Sequence, residues 1–163
     1  MCFVCLGNIC RSPTAEVVMR ATAERRGLGD AVVVESAGTG SWHVGGDADP
    51  RSRAEWERRG LRHAHRARQF GVGDLARFDL VLAMDASNLE ALQRTAAAAG
   101  SSTPIELLRA YDPSAPPGAE VPDPYYGGPD GFVDAFDMAQ RACNGLLDHL
   151  VATGRLPGAA PPA

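Results

Sequence analysis

The segment Cys5-Leu6-Gly7-Asn8-Ile9-Cys10-Arg11-Ser12-Pro13 decides the fold, because it joins a short apolar run to a helical pattern. The apolar run Cys2 to Cys5 predicts a strand, and the residues from Pro13 to Arg26 predict a helix. A loop in this position brings backbone N–H groups together at the positive end of a helix dipole, which favours an anion. The segment therefore predicts a phosphate-binding loop between strand 1 and helix 1.

Side chains of this loop suggest a chemistry. Gly7 and Asn8 tolerate left-handed backbone, which a loop that curls its amides inward requires. Arg11 offers a planar fork that fits two phosphate oxygens. The same positive surroundings should stabilise a thiolate at Cys5, the candidate nucleophile. The Cys-to-Arg spacing alone is weak evidence, because a chain with this many cysteines and arginines contains about 0.4 such pairs by chance. The alternative is an ordinary strand-to-helix turn with a buried cysteine.

The rest of the chain alternates apolar strands with helices, as α/β folds do. Further strands are predicted at Ala31 to Ser36, Asp79 to Met84 and Pro104 to Leu108, and further helices at Pro50 to Arg59, Ala86 to Ala99 and Phe132 to Thr153. Ser12, Asp49 and Asp85 stand where helix N-caps are expected, and Gly27, Gly60 and Gly100 where helices end. We expect a single α/β domain whose four-stranded parallel sheet is flanked by helices on both faces.

Composition limits the number of domains, the classes of binding partner and the cellular compartment. A chain of 163 residues with 45% hydrophobic residues fits one domain, predicted at 1–157, followed by a disordered tail at 158–163. The formal net charge of −4 gives no general field for nucleic acid or an anionic membrane. No secretory signal or membrane-spanning stretch is visible, and four cysteines then indicate free thiols in a reducing compartment. We expect a cytoplasmic protein.

The general acid has several candidates. Ligands of open parallel sheets bind at the carboxyl ends of the strands, where the long segment Tyr111 to Gly131 is predicted to lie. Asp49, Asp112 and Asp123 each precede a proline. A helix cap explains Asp49, whereas Asp112 and Asp123 share the long segment and spacing does not rank them.

Val4 to Pro13 resembles the signature of the low-molecular-weight protein tyrosine phosphatases. Further strings follow in that family's order: Ser36-Ala37-Gly38-Thr39, His65-Arg66-Ala67-Arg68-Gln69, Met84-Asp85-Ala86-Ser87-Asn88 and Asp123-Pro124-Tyr125-Tyr126-Gly127. The resemblance implies cofactor-free hydrolysis of phosphotyrosine on protein substrates through a phosphocysteine intermediate. It implies that Cys5 is the nucleophile, Arg11 the phosphate clamp and Asp123 the general acid, with inorganic phosphate or vanadate as inhibitors.

The resemblance also implies roles around these three residues. The phosphate-binding loop comprises Leu6, Gly7, Asn8, Ile9, Cys10 and Ser12, its supports are Ser36 and His65, and the substrate wall is Trp42, Tyr125 and Tyr126. Ser12 would also assist the thiolate as leaving group in the second step. Packing in the core or a loop is the other reading of each aromatic residue. Cys10 is either a partner for a reversible disulfide with Cys5 or a buried apolar residue.

No metal ligand is predicted, because the Cys and His spacings fit no common zinc pattern. Cys2 and Cys5 lie on one strand about 10 Å apart, which is beyond disulfide reach. Three alternative functions remain. An arsenate reductase of this fold would need two cysteines after the third strand, but residues 83–92 have none. Phosphoarginine phosphatases tend to have threonine at the position of Ile9. A non-catalytic phosphate-binding module would usually have lost the nucleophile or the acid, but Cys5, Arg11 and Asp123 are all present.

Overall fold

The structure is a computed structural model that describes residues 1–157. The tail predicted at 158–163 lies outside these residues. A four-stranded sheet occupies the centre, with strand order β2-β1-β3-β4 and every neighbouring pair parallel. The strands are β1 (Cys2–Cys5), β2 (Glu35–Gly38), β3 (Val81–Ala83) and β4 (Ile105–Leu107). The α-helices are α1 (Arg11–Arg25), α2 (Pro50–Arg58), α3 (Val72–Arg77), α4 (Ala86–Ala99) and α5 (Asp130–Ala152).

Helices cover both faces of the sheet, because side chains alternate along each strand. Phe3 of β1 and Leu82 of β3 point into a core that α1, α2 and α5 close. Val4 and Ala83 point to the other face, where Leu92 of α4 packs on them. The central strands β1 and β3 are buried on both sides, which explains their continuous apolar sequence. The predicted fold class is confirmed.

The second strand differs from its prediction. Ala31 to Ser36 was expected, but Ala31 ends a short 3-10 turn and β2 begins at Glu35. Val33 is 68% exposed, so its apolar side chain is not part of a buried strand. Pairing continues instead to Gly38, where a Cβ atom would lie 2.8 Å from the carbonyl oxygen of Leu6. The strand thus uses small residues because it passes close to the loop after β1.

Helix boundaries follow the predicted caps with one exception. Asp49 accepts a hydrogen bond from the Arg51 N–H, and Asp85 accepts one from the Asn88 N–H, as N-caps do. Ser12 is not an N-cap, because α1 already begins at Arg11 and the Ser12 hydroxyl is used elsewhere. The short helix α3 was not predicted. Residues 1–157 contain no helix that is both long and apolar enough to cross a membrane.

Candidate active site

A cavity of about 330 Å³ opens at the carboxyl edge of the sheet. The loop after β1, the segment after β2 and the loop before α5 all contribute to its wall. Its lining residues are Cys5, Leu6, Gly7, Ile9, Cys10, Arg11, Trp42, His43, Asp123, Tyr125 and Tyr126. The structure therefore brings the candidate nucleophile, clamp and general acid to one cavity, of a size that suits a small organic group.

The loop between β1 and α1 leaves donors free for an anion. Within residues 1–157, none of the backbone N–H groups of residues 6–10 donates a hydrogen bond to a protein acceptor. Helix α1 starts directly after this loop, and its N-cap, Cys10, makes no side-chain capping bond. Unpaired amides at a helix N-terminus are a site for phosphate or sulfate. The loop can thus bind a tetrahedral anion through its backbone.

Asn8 holds the loop in shape. It has a φ of +55°, whereas Gly7, which was also expected to allow left-handed backbone, does not adopt it. The Asn8 amide donates to the hydroxyls of Ser12 and Ser36, each at 2.9 Å, and its side-chain oxygen accepts from the Arg68 N–H at 2.9 Å. Asn8 is completely buried, so each of these bonds forms away from water. They fix a backbone conformation that asparagine adopts more readily than most residues.

Ser12 connects this network to the nucleophile. Its hydroxyl oxygen lies 3.1 Å from the Cys5 sulfur and 3.2 Å from the Ala37 carbonyl oxygen. A hydroxyl has one proton, so it donates either to the carbonyl or to the sulfur. The Asn8 amide occupies one acceptor position of the same oxygen. Ser12 can therefore turn its proton to a negatively charged Cys5 sulfur without losing its other support.

Arg11 lies almost completely buried, at 3% exposure, beside two carboxylates. Its Nη1 donates to Asp85 at 2.6 Å and to the Val121 carbonyl at 3.1 Å, while Nη2 lies 3.3 Å from Asp123. Burial opposes its charge, but a Cys5 thiolate and the two carboxylates raise the pKa of Arg11 above its ordinary value. Within the described residues its Nε has no hydrogen-bond partner. A phosphate oxygen in the cavity would supply one.

Asp123 lies at the mouth of the cavity, with a side chain that is 40% exposed. Its second oxygen accepts from the Tyr125 N–H at 3.2 Å, which ties the carboxylate to the loop that carries the tyrosines. Asp112, the rival candidate, is fully buried and does not line the cavity. Ser114 and Arg141 contact its carboxylate and, although burial opposes the charge, hold the pKa of Asp112 below its usual range. The geometry thus favours Asp123 and gives Asp112 a structural role.

The predicted aromatic residues surround the entrance. Trp42 is 73% exposed and Tyr126 is 95% exposed, so neither is part of the core. The rings of Tyr125 and Tyr126 pack edge to face with centroids 4.9 Å apart. Gly40 allows the Trp42 ring its position, because a Cβ atom at residue 40 would lie 1.9 Å from that ring. These exposed rings are available to a flat substrate group.

The remaining cysteines are buried and keep their protons. Burial and the nearby Asp49 raise the pKa of Cys10 to about 12, and burial raises the pKa of Cys2 to about 12. All four cysteines are free thiols in the structure. Cys10 lines the cavity beside the nucleophile, so its two predicted roles, disulfide partner and buried apolar residue, both stay open.

His65 supports the loop from outside the cavity. Its Nε2 lies 2.7 Å from the Asn8 carbonyl oxygen, and since a carbonyl can only accept, Nε2 carries the proton. Burial lowers the pKa of His65, against the effect of that hydrogen bond. Ser36 donates to the buried carboxylate of Glu16 at 2.6 Å. Glu16 is partly desolvated, but hydrogen bonds from His63 and Ser36 lower its pKa, so it carries a negative charge.

The sequence did not indicate every residue of the site. Asp85 was predicted as a helix cap at the carboxyl edge of the sheet, but its contact with Arg11, through its other oxygen, was not predicted. His43 lines the cavity and was not predicted. Arg51 donates to the Tyr125 carbonyl and to Asp49, and its guanidinium lies 5.4 Å from the Tyr125 ring centroid. Of these residues, only Asp85 lies in a string that resembles the family pattern. That string does not indicate a contact between Asp85 and Arg11.

Comparisons with known proteins agree with this geometry. The family model described as low molecular weight phosphotyrosine protein phosphatase matches residues 1–155. A low molecular weight protein-tyrosine-phosphatase of Streptomyces coelicolor is 51% identical over 148 residues, which cover 90% of each chain. A protein tyrosine phosphatase structure from Entamoeba histolytica superposes with a TM-score of 0.85 at 36% identity, covering 95% of this chain and 97% of that one. A Drosophila arginine phosphatase structure gives a TM-score of 0.83 at 34% identity, covering 91% and 95%.

Proposed function

This chain belongs to the low molecular weight phosphotyrosine protein phosphatase family, and we propose that it hydrolyses phosphotyrosine on protein substrates through a phosphocysteine intermediate. One observation carries the proposal. Cys5, Arg11 and Asp123 line one cavity, and the unpaired amides of residues 6–10 adjoin it. Nucleophile, anion site and proton donor are the groups that transfer of a phosphoryl group to cysteine requires.

In the first step, the amides of the loop and the fork of Arg11 bind the three terminal oxygens of the phosphate. Arg11 then exchanges its contact with Asp123 for a substrate oxygen, while Asp85 keeps the guanidinium in place. The Cys5 sulfur attacks phosphorus, and the bond to the tyrosine oxygen breaks. Asp123 gives its proton to that oxygen, so tyrosine leaves as a neutral phenol.

In the second step, Asp123 is ionised and accepts a proton from a water molecule. That water attacks phosphorus, the P–S bond breaks, and the electron pair returns to Cys5 as a thiolate. Ser12 lies 3.1 Å from this sulfur and donates its proton to the developing negative charge. Inorganic phosphate leaves, and the proton on Asp123 is ready for the next substrate. Both steps use protein groups and water alone.

The wall around the entrance supports an aryl ester over an alkyl one. Trp42, Tyr125 and Tyr126 line the same cavity as Cys5, so we expect a long, flat substituent to contact them while its phosphate occupies the loop. We expect matched peptides to show much faster hydrolysis of phosphotyrosine than of phosphoserine. Comparable rates on the two peptides, or turnover of p-nitrophenyl phosphate by Cys5→Ser, would contradict the proposal. Vanadate and inorganic phosphate should inhibit by occupying the loop.

Hydrolysis of phosphoarginine is a second candidate, because one similar structure is that of an arginine phosphatase. Ile9 lines the cavity and offers only an apolar surface to a substrate. A phosphotyrosine ring makes favourable contacts with such a surface, whereas a guanidinium leaves hydrogen-bond donors unpaired there. Parallel assays on phosphotyrosine and phosphoarginine peptides separate the two, and a higher kcat/KM on phosphoarginine would reverse our assignment.

Thioredoxin-coupled arsenate reduction lacks its further cysteines here, since residues 83–92 contain none. A purely phosphate-binding role would leave Asp123 without purpose at the cavity mouth. We place the protein in the cytoplasm, because the proposed nucleophile has to remain reduced and the other cysteines are buried free thiols. Measured arsenate reduction with thioredoxin, or phosphate binding without turnover, would favour these alternatives.

A further inference from the structure

Three possible metal ligands meet outside the active-site cavity. Glu16 lies on α1, and His63 and His65 lie in the segment between α2 and α3. One carboxylate oxygen and one ring nitrogen from each histidine all lie within 4.8 Å of one another. No sequence pattern indicates this group, because a His-x-His spacing is not a common zinc pattern and the third residue comes from a distant helix.

Separations within the group suit a tetrahedral ion. The Nε2 of His63 is 3.3 Å from a carboxylate oxygen of Glu16, and the proton that it donates there has to leave or move to Nδ1 when Nε2 binds a metal. Zinc binds nitrogen and oxygen at about 2.0 to 2.2 Å, which places neighbouring ligand atoms of a tetrahedron roughly 3.3 Å apart. One pair is therefore already at the required distance. The other pairs lie at up to 4.8 Å, so their side chains have to move closer to bind one ion together.

Two of the three residues are oriented by groups that metal ligands commonly use. The Nε2–H of His65 donates to the Asn8 carbonyl at 2.7 Å, so the lone pair stays on Nδ1 and a metal can bind there without breaking this bond. The second oxygen of Glu16 accepts from the Ser36 hydroxyl at 2.6 Å. Backbone carbonyls and hydroxyls hold ligand side chains in this way around bound ions.

The three residues are accessible to an ion from solvent, and the guanidinium of Arg20 competes with such an ion for Glu16. The side chain of His63 is 20% exposed, so an ion reaches the group from solvent without unfolding. Arg20 donates to the same oxygen of Glu16 that faces His63, at 3.1 Å. Its side chain is 43% exposed, so it can turn into water when a cation replaces it, giving up its bond to the Val34 carbonyl as well. The guanidinium is thus a competitor that weakens binding but does not block it.

We propose that Glu16, His63 and His65 form a binding site for one divalent transition-metal ion, such as Zn²⁺, with water as the fourth ligand. Two histidines with one glutamate are a recurrent zinc ligand set. The ion would take no part in phosphoryl transfer. It would tie α1 to the segment that supports Asn8, and so stabilise the phosphate loop from behind.

Titration with Co²⁺ tests the site in a Cys5→Ser background, where the catalytic thiolate cannot bind the metal. We expect one ion per chain, visible d–d absorption without a thiolate charge-transfer band, and a higher thermal unfolding temperature with Co²⁺ or Zn²⁺. His63→Ala should weaken binding by at least about tenfold. His149→Ala removes another accessible histidine, on α5, and should leave the affinity unchanged. Circular dichroism checks that each variant is folded.

Arg20→Gln is expected to raise the affinity for Co²⁺, whereas His63→Ala is expected to lower it. Removing the competing cation should tighten Co²⁺ binding, while leaving the ligands in place. Absence of binding below about 1 mM in the Cys5→Ser background, a thiolate charge-transfer band there, or equal affinity in His63→Ala would overturn the proposal. An affinity in Arg20→Gln that is no higher than in its parent would also overturn it, because Glu16 would then not be a ligand.

Discussion

Replacing Ser12 by alanine should slow hydrolysis of the phosphocysteine much more than its formation. The Ser12 hydroxyl lies 3.1 Å from the Cys5 sulfur, and it is the group placed to donate to the thiolate that leaves in the second step. Hydrogen bonds to charged groups contribute about 1.5 to 3 kcal/mol. At about 1.4 kcal/mol per factor of ten, their loss slows the step by roughly 10- to 150-fold.

Alanine at this position also removes an acceptor from the Asn8 amide. One N–H of that buried group would lose its partner, at a cost of about 1 to 3 kcal/mol in the free energy of unfolding. Ser36→Ala is the matched control, because it removes the other acceptor of the same amide, also at 2.9 Å, without touching Cys5. Both variants should be less stable, and only Ser12→Ala should accumulate the intermediate.

Stopped-flow kinetics with p-nitrophenyl phosphate separates the two steps. Ser12→Ala should show a burst of nitrophenolate that approaches one equivalent per enzyme, a kcat lowered by about 10- to 150-fold and a smaller change in kcat/KM. Trapping with acid should recover phosphate on Cys5. Equal losses of kcat and kcat/KM without a burst, or the same burst in Ser36→Ala, would refute the assignment of Ser12 to the leaving thiolate.

Three further predictions concern charged residues that line the cavity or contact its wall. Asp123→Asn should slow phosphotyrosine hydrolysis by roughly 10²- to 10⁴-fold but affect p-nitrophenyl phosphate less, because nitrophenolate leaves without a proton. Asp112→Asn, the control, should lower the unfolding temperature and show the same dependence on the leaving group as the parent enzyme. The reverse pattern would exchange the roles of the two aspartates. Arg11→Lys retains the charge but loses the fork, so kcat should fall by about 10² or more in steady-state assays, and near-normal turnover would contradict the clamp. Arg51→Met should raise KM for phosphotyrosine peptides by about 2- to 10-fold with little change in kcat, because the hydrogen bond from Arg51 to the Tyr125 carbonyl is lost. An unchanged KM would show that this hydrogen bond does not position the wall.

Local sequence was sufficient for much of the fold. Caps such as Asp49 and Asp85 and helix-ending glycines act over a few residues, so a linear pattern shows them. The parallel sheet follows from strand–helix alternation and from strands that are apolar on both faces, whereas the strand order was not predicted. The second strand could not be placed in this way, because Glu35–Gly38 consists mostly of small residues with low strand propensity. These residues are small because the strand passes close to the loop at Leu6.

In the candidate site, too, the sequence predicts the local features and misses the contacts between distant elements. The free amides of the loop and the position of Arg11 followed from one contiguous string. Asp85 and Arg11 meet only because α4 and α1 start at the same edge of the sheet, which no spacing along the chain shows. Spacing did not rank Asp112 against Asp123, and only the resemblance of the string that begins at Asp123 favoured that residue. Both precede proline in one loop, and burial and ion pairs supply the physical distinction that spacing lacked.

The two tryptophans give the protein two separate optical reporters. Trp56 is 1% exposed and donates to Thr14 on α1, so its emission should be blue-shifted and should follow unfolding of the α1–α2 contact. Trp42 is 73% exposed at the cavity entrance, where its emission should be red-shifted and accessible to quenchers such as iodide or acrylamide. A ligand that stacks at the entrance should protect Trp42 from quenching while leaving Trp56 unchanged. Occupancy of the cavity and integrity of the fold can thus be followed in one cuvette without an attached dye.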